Sequence, residues 1–187
     1  MKSKKNLIGV MIILAMFSCI HKPENNCNSS TQTNQSFQTD STVQLCVVQS
    51  FLKWYKDNYE NINPYELIIY NKNGSKNNFE IDADKFNSFI KTFNKPGFFS
   101  EKYIINLKKY ILNCEYKFQT NDNMDVPEGF DFDFILITQA IEDTFKAIDN
   151  FKILSYERNN FCIMLDTKLC FTLIKENEKW VIDSIYN

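Results

Sequence analysis

The side chains able to do chemistry are few, and their spacing excludes more than it supports. The single histidine is His21, in a polar N-terminal stretch. Nucleophilic catalysis of the Ser-His or Cys-His kind needs a base beside the nucleophile, so a lone histidine outside the main domain argues against it. Six cysteines stand at 19, 27, 46, 114, 162 and 170, and no pair has the Cys-x-x-Cys spacing of a zinc or thioredoxin-like site. Carboxylates gather instead. Asp131 and Asp133, followed by Glu142 and Asp143, offer acid/base pairs, and Gln139 lies between them. The oxygen-rich run Asn121–Asp133 has the residue types a calcium ion wants, but it lacks the sixth-position glycine of an EF-hand loop. It therefore reads as an ordinary acidic loop, with no metal and no cofactor expected. Only four glycines occur in 187 residues, which leaves no Gly-rich phosphate cradle. An aromatic set, Trp54, Tyr55, Tyr103 and Tyr110, can either line an apolar pocket or fill the core.

Cys19 has a different chemistry. Lys2, Lys4 and Lys5 precede an apolar run at Leu7–Phe17, which is too short to span a bilayer. Then comes Met16-Phe17-Ser18-Cys19, which resembles a lipobox, with Met where Leu is usual at the third position before the cysteine. The expectation is a signal peptide over residues 1–18, cleavage before Cys19, and acylation of that cysteine with palmitate-type chains. Two or three acyl chains anchor stably, at about 0.8 kcal/mol per buried methylene. Residues 19–42, rich in Asn, Ser, Thr and Gln, then read as a flexible tether. Ile20-His21-Lys22 puts no acidic run after Cys19, which points to an exported protein on the outer membrane, facing the periplasm.

Removing residues 1–18 leaves 18 basic against 23 acidic residues, a net of −5, and the one arginine is Arg158. That balance lacks the electrostatic footprint of a nucleic-acid binder. Apolar residues make up 44% of the chain and 17 are Phe, enough to build a core and too many for a disordered chain.

The elements that must position these groups occupy one domain over residues 43–187. Val43–Tyr59 reads as a helix capped by Ser41 and Thr42, with Val48, Phe51, Leu52, Tyr55 and Tyr59 on one stripe. Pro64 ends this region in a loop, and Phe79–Asp82 reads as a short strand. A second helix runs from Asp84 to Phe93 and stops at Pro96-Gly97. A third runs from Ser100 to Tyr116 with Tyr103, Leu107, Tyr110, Ile111 and Cys114 inward. Four strands follow, Phe151–Arg158, Phe161–Asp166, Leu169–Glu176 and Lys179–Tyr186. Their short polar connections predict an antiparallel meander. One face of that sheet packs on the helices, and the other either lines a pocket or pairs with a second copy. The fold class is α+β, N-terminal helices packed on a curved antiparallel sheet. A loop centred near Asp166 would set Cys162 opposite Cys170, whereas a two-residue turn at Thr167 would place them diagonally. The expectation is two free thiols on a buried face, because a bridge needs that single register and a short Cα separation.

The domain resembles the nuclear-transport-factor-2-like cones, and within them an uncharacterised family of secreted bacterial lipoproteins. The shared residues are Val48-Phe51-Trp54-Tyr55, Phe98-Ser100-Tyr103 and Asp131-Asp133-Leu136-Gln139, with Asp143 beyond. The chain departs after Gln139, where Ala140 replaces the family's usual Asp. The resemblance implies a cone with Tyr103, Asp131, Asp133, Gln139 and Asp143 as its candidate pocket or polar site. That family has no established activity. The leading expectation is therefore a non-catalytic binding module for a small molecule, peptide or protein, protective or inhibitory roles included. The alternatives are a hydrolase or isomerase built on the Asp131–Asp143 region, and a structural homodimer joined through the sheet.

The anchor has a direct check. Cys19→Ala should abolish acylation and release the protein from the membrane fraction; retention at wild-type levels would remove the anchor.

Overall fold

The structure, a computed structural model, describes residues 37–73, 76–120 and 127–187. Cys19, most of the tether and Asn121–Val126 of the acidic loop therefore lie outside the described residues. The domain is mixed α+β, with four α-helices and two antiparallel sheets among the described residues.

Helix α1 spans Phe37–Ile62, six residues longer at its start than the apolar stripe predicts. Ser41 and Thr42 are thus helical residues, not caps, and the tether does not reach residue 42. The extension has a tertiary cause. Asp40 accepts from Trp180 Nε1 at 3.3 Å and pairs with Lys175 Nζ at 3.2 Å. Lys175 Nζ also sits 5.0 Å from the centre of the Trp180 ring. A polar helical turn with little tendency to persist alone is held by the strands it touches. Further along, Val48, Phe51, Leu52 and Tyr55 are fully buried, as their spacing predicts.

After a short 3₁₀ turn at Pro64–Leu67 come β1 (Ile68–Asn73) and β2 (Lys76–Ile81), paired so that Tyr70 faces Phe79. The strand at β2 is expected; β1 is not, although Ile68-Ile69-Tyr70 is a strand-forming run ahead of an Asn-Gly dipeptide. Helix α2 (Ala83–Asn94) is capped by Asp82, whose side chain accepts from the Asp84 and Lys85 N–H groups, both at 3.0 Å. Its Phe93 stacks on Phe99, which stacks on Tyr103, with ring centres 4.6 and 4.5 Å apart. Helix α3 (Glu101–Thr120) buries Ile104, Leu107, Ile111, Cys114 and Phe118. A short helix, α4 (Ile141–Ala147), leads into the sheet.

The meander is β3 (Lys152–Glu157), β4 (Asn160–Met164), β5 (Lys168–Glu176) and β6 (Lys179–Tyr186), in that order. Phe161, Ile163, Leu169 and Phe171 are buried within the apolar core. The outer edge of β6 is covered: the Ser100 N–H donates to Ile182 O at 3.0 Å and the Ile182 N–H to Phe98 O at 2.7 Å. Irregularities fall between Ile153 and Ser155 and between Thr172 and Leu173.

One expectation fails outright. Cys162 and Cys170 face each other in the β4–β5 register and are joined in a disulfide. The turn is centred on Asp166, with Met164 opposite Lys168. Asp166 is held there, because its carboxylate accepts from the Thr138 hydroxyl at 3.0 Å and the Thr144 hydroxyl at 2.6 Å. Two threonines far away in sequence thus select the register that opposes the cysteines. Cys46 is also disulfide-bonded, while Cys114 is buried and free.

Replacing both Cys162 and Cys170 by Ala should lower the unfolding free energy by about 2 kcal/mol, since the bridge restricts the unfolded chain. Denaturant titration reads the loss. Unchanged stability, with both thiols labelled in the unreduced denatured protein, would show no bridge.

Candidate functional site

The segment 127–140 joins α3 to α4 with almost no regular structure, and one carboxylate organises it. Asp133 is fully buried. Its Oδ1 accepts from the Ile135 N–H at 3.0 Å and the Leu136 N–H at 2.8 Å, and its Oδ2 from the Tyr55 hydroxyl at 2.8 Å. The main chain closes the same loop, with Asp133 N–H to Thr138 O at 2.8 Å and Thr138 N–H to Asp133 O at 3.2 Å. Inside the loop Ile137 has φ 53°, a left-handed backbone that a β-branched residue adopts only when its surroundings enforce it. Burial pushes the Asp133 carboxyl above its ordinary range, and the Leu136, Tyr55 and Ile135 hydrogen bonds pull it part of the way back.

The loop is fastened to α3 as well. The Tyr110 hydroxyl donates to Gly129 O at 3.0 Å, and Lys117 pairs with Glu128. Gly129 has φ 87°, and a Cβ there would lie 2.6 Å from Cys114 Sγ, so only glycine fits.

Between loop, helix and sheet lies a cavity of about 360 Å³. Tyr103, Asn106, Leu107 and Tyr110 line it from α3, Phe132, Phe134 and Ile137 from the loop, and Asp183, Ser184 and Ile185 from β6. The walls are mostly aromatic and aliphatic, with few polar groups. Asp183 accepts from the Ser100 hydroxyl at 2.7 Å and from Lys102 Nζ at 2.7 Å. Burial works against its charge, but the Lys102 and Ser100 hydrogen bonds and the Lys102 charge outweigh it and hold the carboxyl below the usual range. The side chains of Asn106 and Ser184 make no hydrogen bond among the described residues.

The residues singled out in the sequence divide. Tyr103 lines the cavity, and its hydroxyl is pushed up by burial and then by the Asp133 charge. Asp133 lies in the core, committed to three donors. Asp131 and Gln139 are exposed, and Asp143 is exposed and paired with Lys146 at 2.8 Å. Among the described residues no two of Asp131, Asp133, Glu142 and Asp143 accept from a common donor, and none of them lines this cavity. Of the aromatic set, Trp54 and Tyr55 pack against Phe93, while Tyr103 and Tyr110 face the cavity. Among the described residues no group of three His, Cys, Asp or Glu side chains is placed to hold a metal ion. Asp183, Ser184 and Asn106 are not singled out in the sequence. The usable signal is Asp183 itself, an acid directly after the apolar run Trp180-Val181-Ile182, where a half-buried charge benefits from a partner.

No protein-family model matches the chain, and neither a curated protein nor a solved structure is significantly similar to it.

Asp133→Ala should lower the unfolding free energy by about 3 kcal/mol, because it leaves two N–H groups and the Tyr55 hydroxyl buried without an acceptor. Asp133→Asn keeps an acceptor and removes the buried charge. Since the folded-state pKa is raised, ionisation opposes folding, and the wild type loses this contribution as pH rises from the ordinary carboxylate range through the raised value. Denaturation from pH 4 to 7 should therefore show Asp133→Asn gaining on the wild type as pH rises; a constant difference would mean that Asp133 does not titrate abnormally.

Proposed function

We propose that this chain is a lipid-anchored binding module of the cell envelope, and that its ligand enters the cavity between α3, the 127–140 loop and β6. The observation that carries the reading is the composition of that cavity. Aromatic and aliphatic walls from Tyr103, Tyr110, Phe132 and Phe134 surround a few polar groups, Asn106, Ser184 and Asp183. That combination suits a compact amphiphile, with an apolar body for the rings and a neutral or cationic polar group for Asp183 and its neighbours. An anionic ligand is disfavoured by the Asp183 carboxylate, although Lys102 offsets part of its charge.

The anchor part of the reading rests on the lysines before residue 6, the apolar run to Phe17 and Cys19, which favour export and acylation, and the lack of an acidic run in Ile20-His21-Lys22 supports an outer-membrane position facing the periplasm. The nuclear-transport-factor-2-like cone is the architecture we favour, supported by N-terminal helices, a four-stranded meander with two irregularities and a cavity between helix and sheet. Membership in the uncharacterised secreted lipoprotein family is favoured by the same layout. A hydrolase in the Asp131–Asp143 region has less support, because its carboxylates point to different surroundings. Pairing of two copies through the sheet draws on Ile153, Leu154 and Met164, which are exposed on β3 and β4.

The neutral dye N-phenyl-1-naphthylamine reads the cavity directly. The full chain should bind it saturably, with one component of one-to-one stoichiometry that Asn106→Trp removes by placing an indole in the cavity. Identical binding curves for the two proteins would exclude this cavity as the ligand site.

A further inference from the structure

Helix α1 carries a covalent bond whose other end no described residue supplies. Cys46 is disulfide-bonded, and the structure holds a single chain. Of the six cysteines in the sequence, Cys162 and Cys170 are joined to each other, and Cys114 is buried and free. Elimination leaves two partners for Cys46, namely Cys19 and Cys27, both outside the described residues. The place of Cys46 on the helix suits a partner from the N-terminal stretch. At about 100° per residue its position falls opposite the inward stripe of Gln44, Val48, Phe51 and Tyr55, all of them buried. Cys46 is half-buried there. A bond at that position joins α1 to chain that runs over its outer side, away from the core.

Chemistry separates the two candidates. Acylation would turn the Cys19 thiol into a thioether, and a thioether sulfur forms no thiolate with which to attack a disulfide. Closing the loop from Cys27 also encloses fewer residues than closing it from Cys19, at slightly lower entropic cost. We infer that Cys27 and Cys46 form a disulfide that fastens the N-terminal segment to the outer side of α1. Only residues 20–26 then remain as spacer between the lipid on Cys19 and the domain. The choice of Cys27 rests on the lipid-anchor reading proposed above; the bond at Cys46 does not. Forming it removes two hydrogens and two electrons from the thiols. A disulfide donor of the thiol–disulfide oxidoreductase class accepts them: one thiolate attacks the donor's disulfide, the second displaces the donor, and the donor leaves as its dithiol. The consequence is positional. At about 3.5 Å per residue the spacer reaches about 28 Å at full stretch, less than half the reach of a chain running unbridged from Cys19 to Phe37. The bond thus holds the Cys46 side of α1 within that distance of the acylated residue.

The test maps the bond in the full chain, exported and purified from membranes with its thiols blocked and without reduction. Cleavage after Glu and before Asp separates the three cysteines, because Glu24 lies between Cys19 and Cys27 and Asp40 between Cys27 and Cys46. Mass analysis should find fragment 25–39 joined to fragment 40–56, the two parting on reduction, in a protein that migrates as a monomer. Fragment 40–56 joined to the fragment ending at Glu24, released unlinked, or linked to a second chain would each overturn the inference. The anchor is read separately: a Cys27–Cys46 link beside an unacylated fragment ending at Glu24 would sustain the bond and remove the lipid. Thiol labelling gives a second reading that does not depend on fragment recovery. In denatured, unreduced protein a maleimide should label Cys46 fully in Cys27→Ser and leave it blocked in Cys19→Ala; the reverse pattern would overturn the assignment.

Discussion

The buried carboxylate of Asp133 is the constraint on which the rest of the candidate site depends. It is the one carboxylate among the fully buried side chains of the described residues. Its three donors come from two distant places, Tyr55 in the middle of α1 and the amides just after Asp133 itself. An irregular segment of about a dozen residues would ordinarily have the freedom of a long loop. Here the segment 127–140 is tied at its centre to the helix that forms the heart of the core, and at its start to α3 through Tyr110 and Lys117. A buried charge is costly unless satisfied, so the same group that fixes the loop would destabilise it if any donor were lost.

What the constraint achieves is a wall. Phe132, Phe134 and Ile137 flank Asp133 in sequence and line the cavity, so pinning the acid fixes where those side chains stand. Ile137 is held in a left-handed backbone and still lines the cavity. The opposite wall is fixed by a second carboxylate. Asp183 draws Ser100 and Lys102, at the start of α3, onto β6, and the main-chain bridge at Ile182 reinforces the contact. Two acids with opposite displacements of their pKa values therefore define one cavity. The more buried is raised by desolvation, and the one that meets an ammonium is lowered. The two carboxylates share no reacting centre, and this supports the binding role we propose.

The sequence made some of this legible and hid the rest for physical reasons. Apolar spacing located the buried stripe of α1 and the run of α2 and α3, because each buries one face. The four strands are legible from their apolar runs and short polar connections, although β3 is mostly exposed and β4 and β5 bury successive residues. Tyr103 and Asp133 were identifiable as candidates, yet the role assigned to Asp133 differs: its acidity is used for fixing a loop. The first turn and a half of α1 was invisible because its stability comes from Trp180 and Lys175, more than a hundred residues away. The Cys162–Cys170 bond is not legible locally, because its register depends on Thr138 and Thr144 gripping Asp166. Asp183 lay in plain view directly after an apolar run, but nothing local revealed that Ser100 and Lys102 would meet it. In each miss the deciding contact is distant in sequence, where periodicity carries no information.

The most direct measurement of the account is amide hydrogen exchange at Ile135 and Leu136 in the wild-type protein. These two N–H groups belong to no helix or strand, so their protection reports on the Asp133 carboxylate that accepts from them. If that carboxylate pins the loop to the core, both amides should exchange as slowly as those of buried residues in α1, opening only with the domain as a whole. Exchange at the rate of an unprotected surface loop would contradict the account, because the cavity would then have no fixed wall.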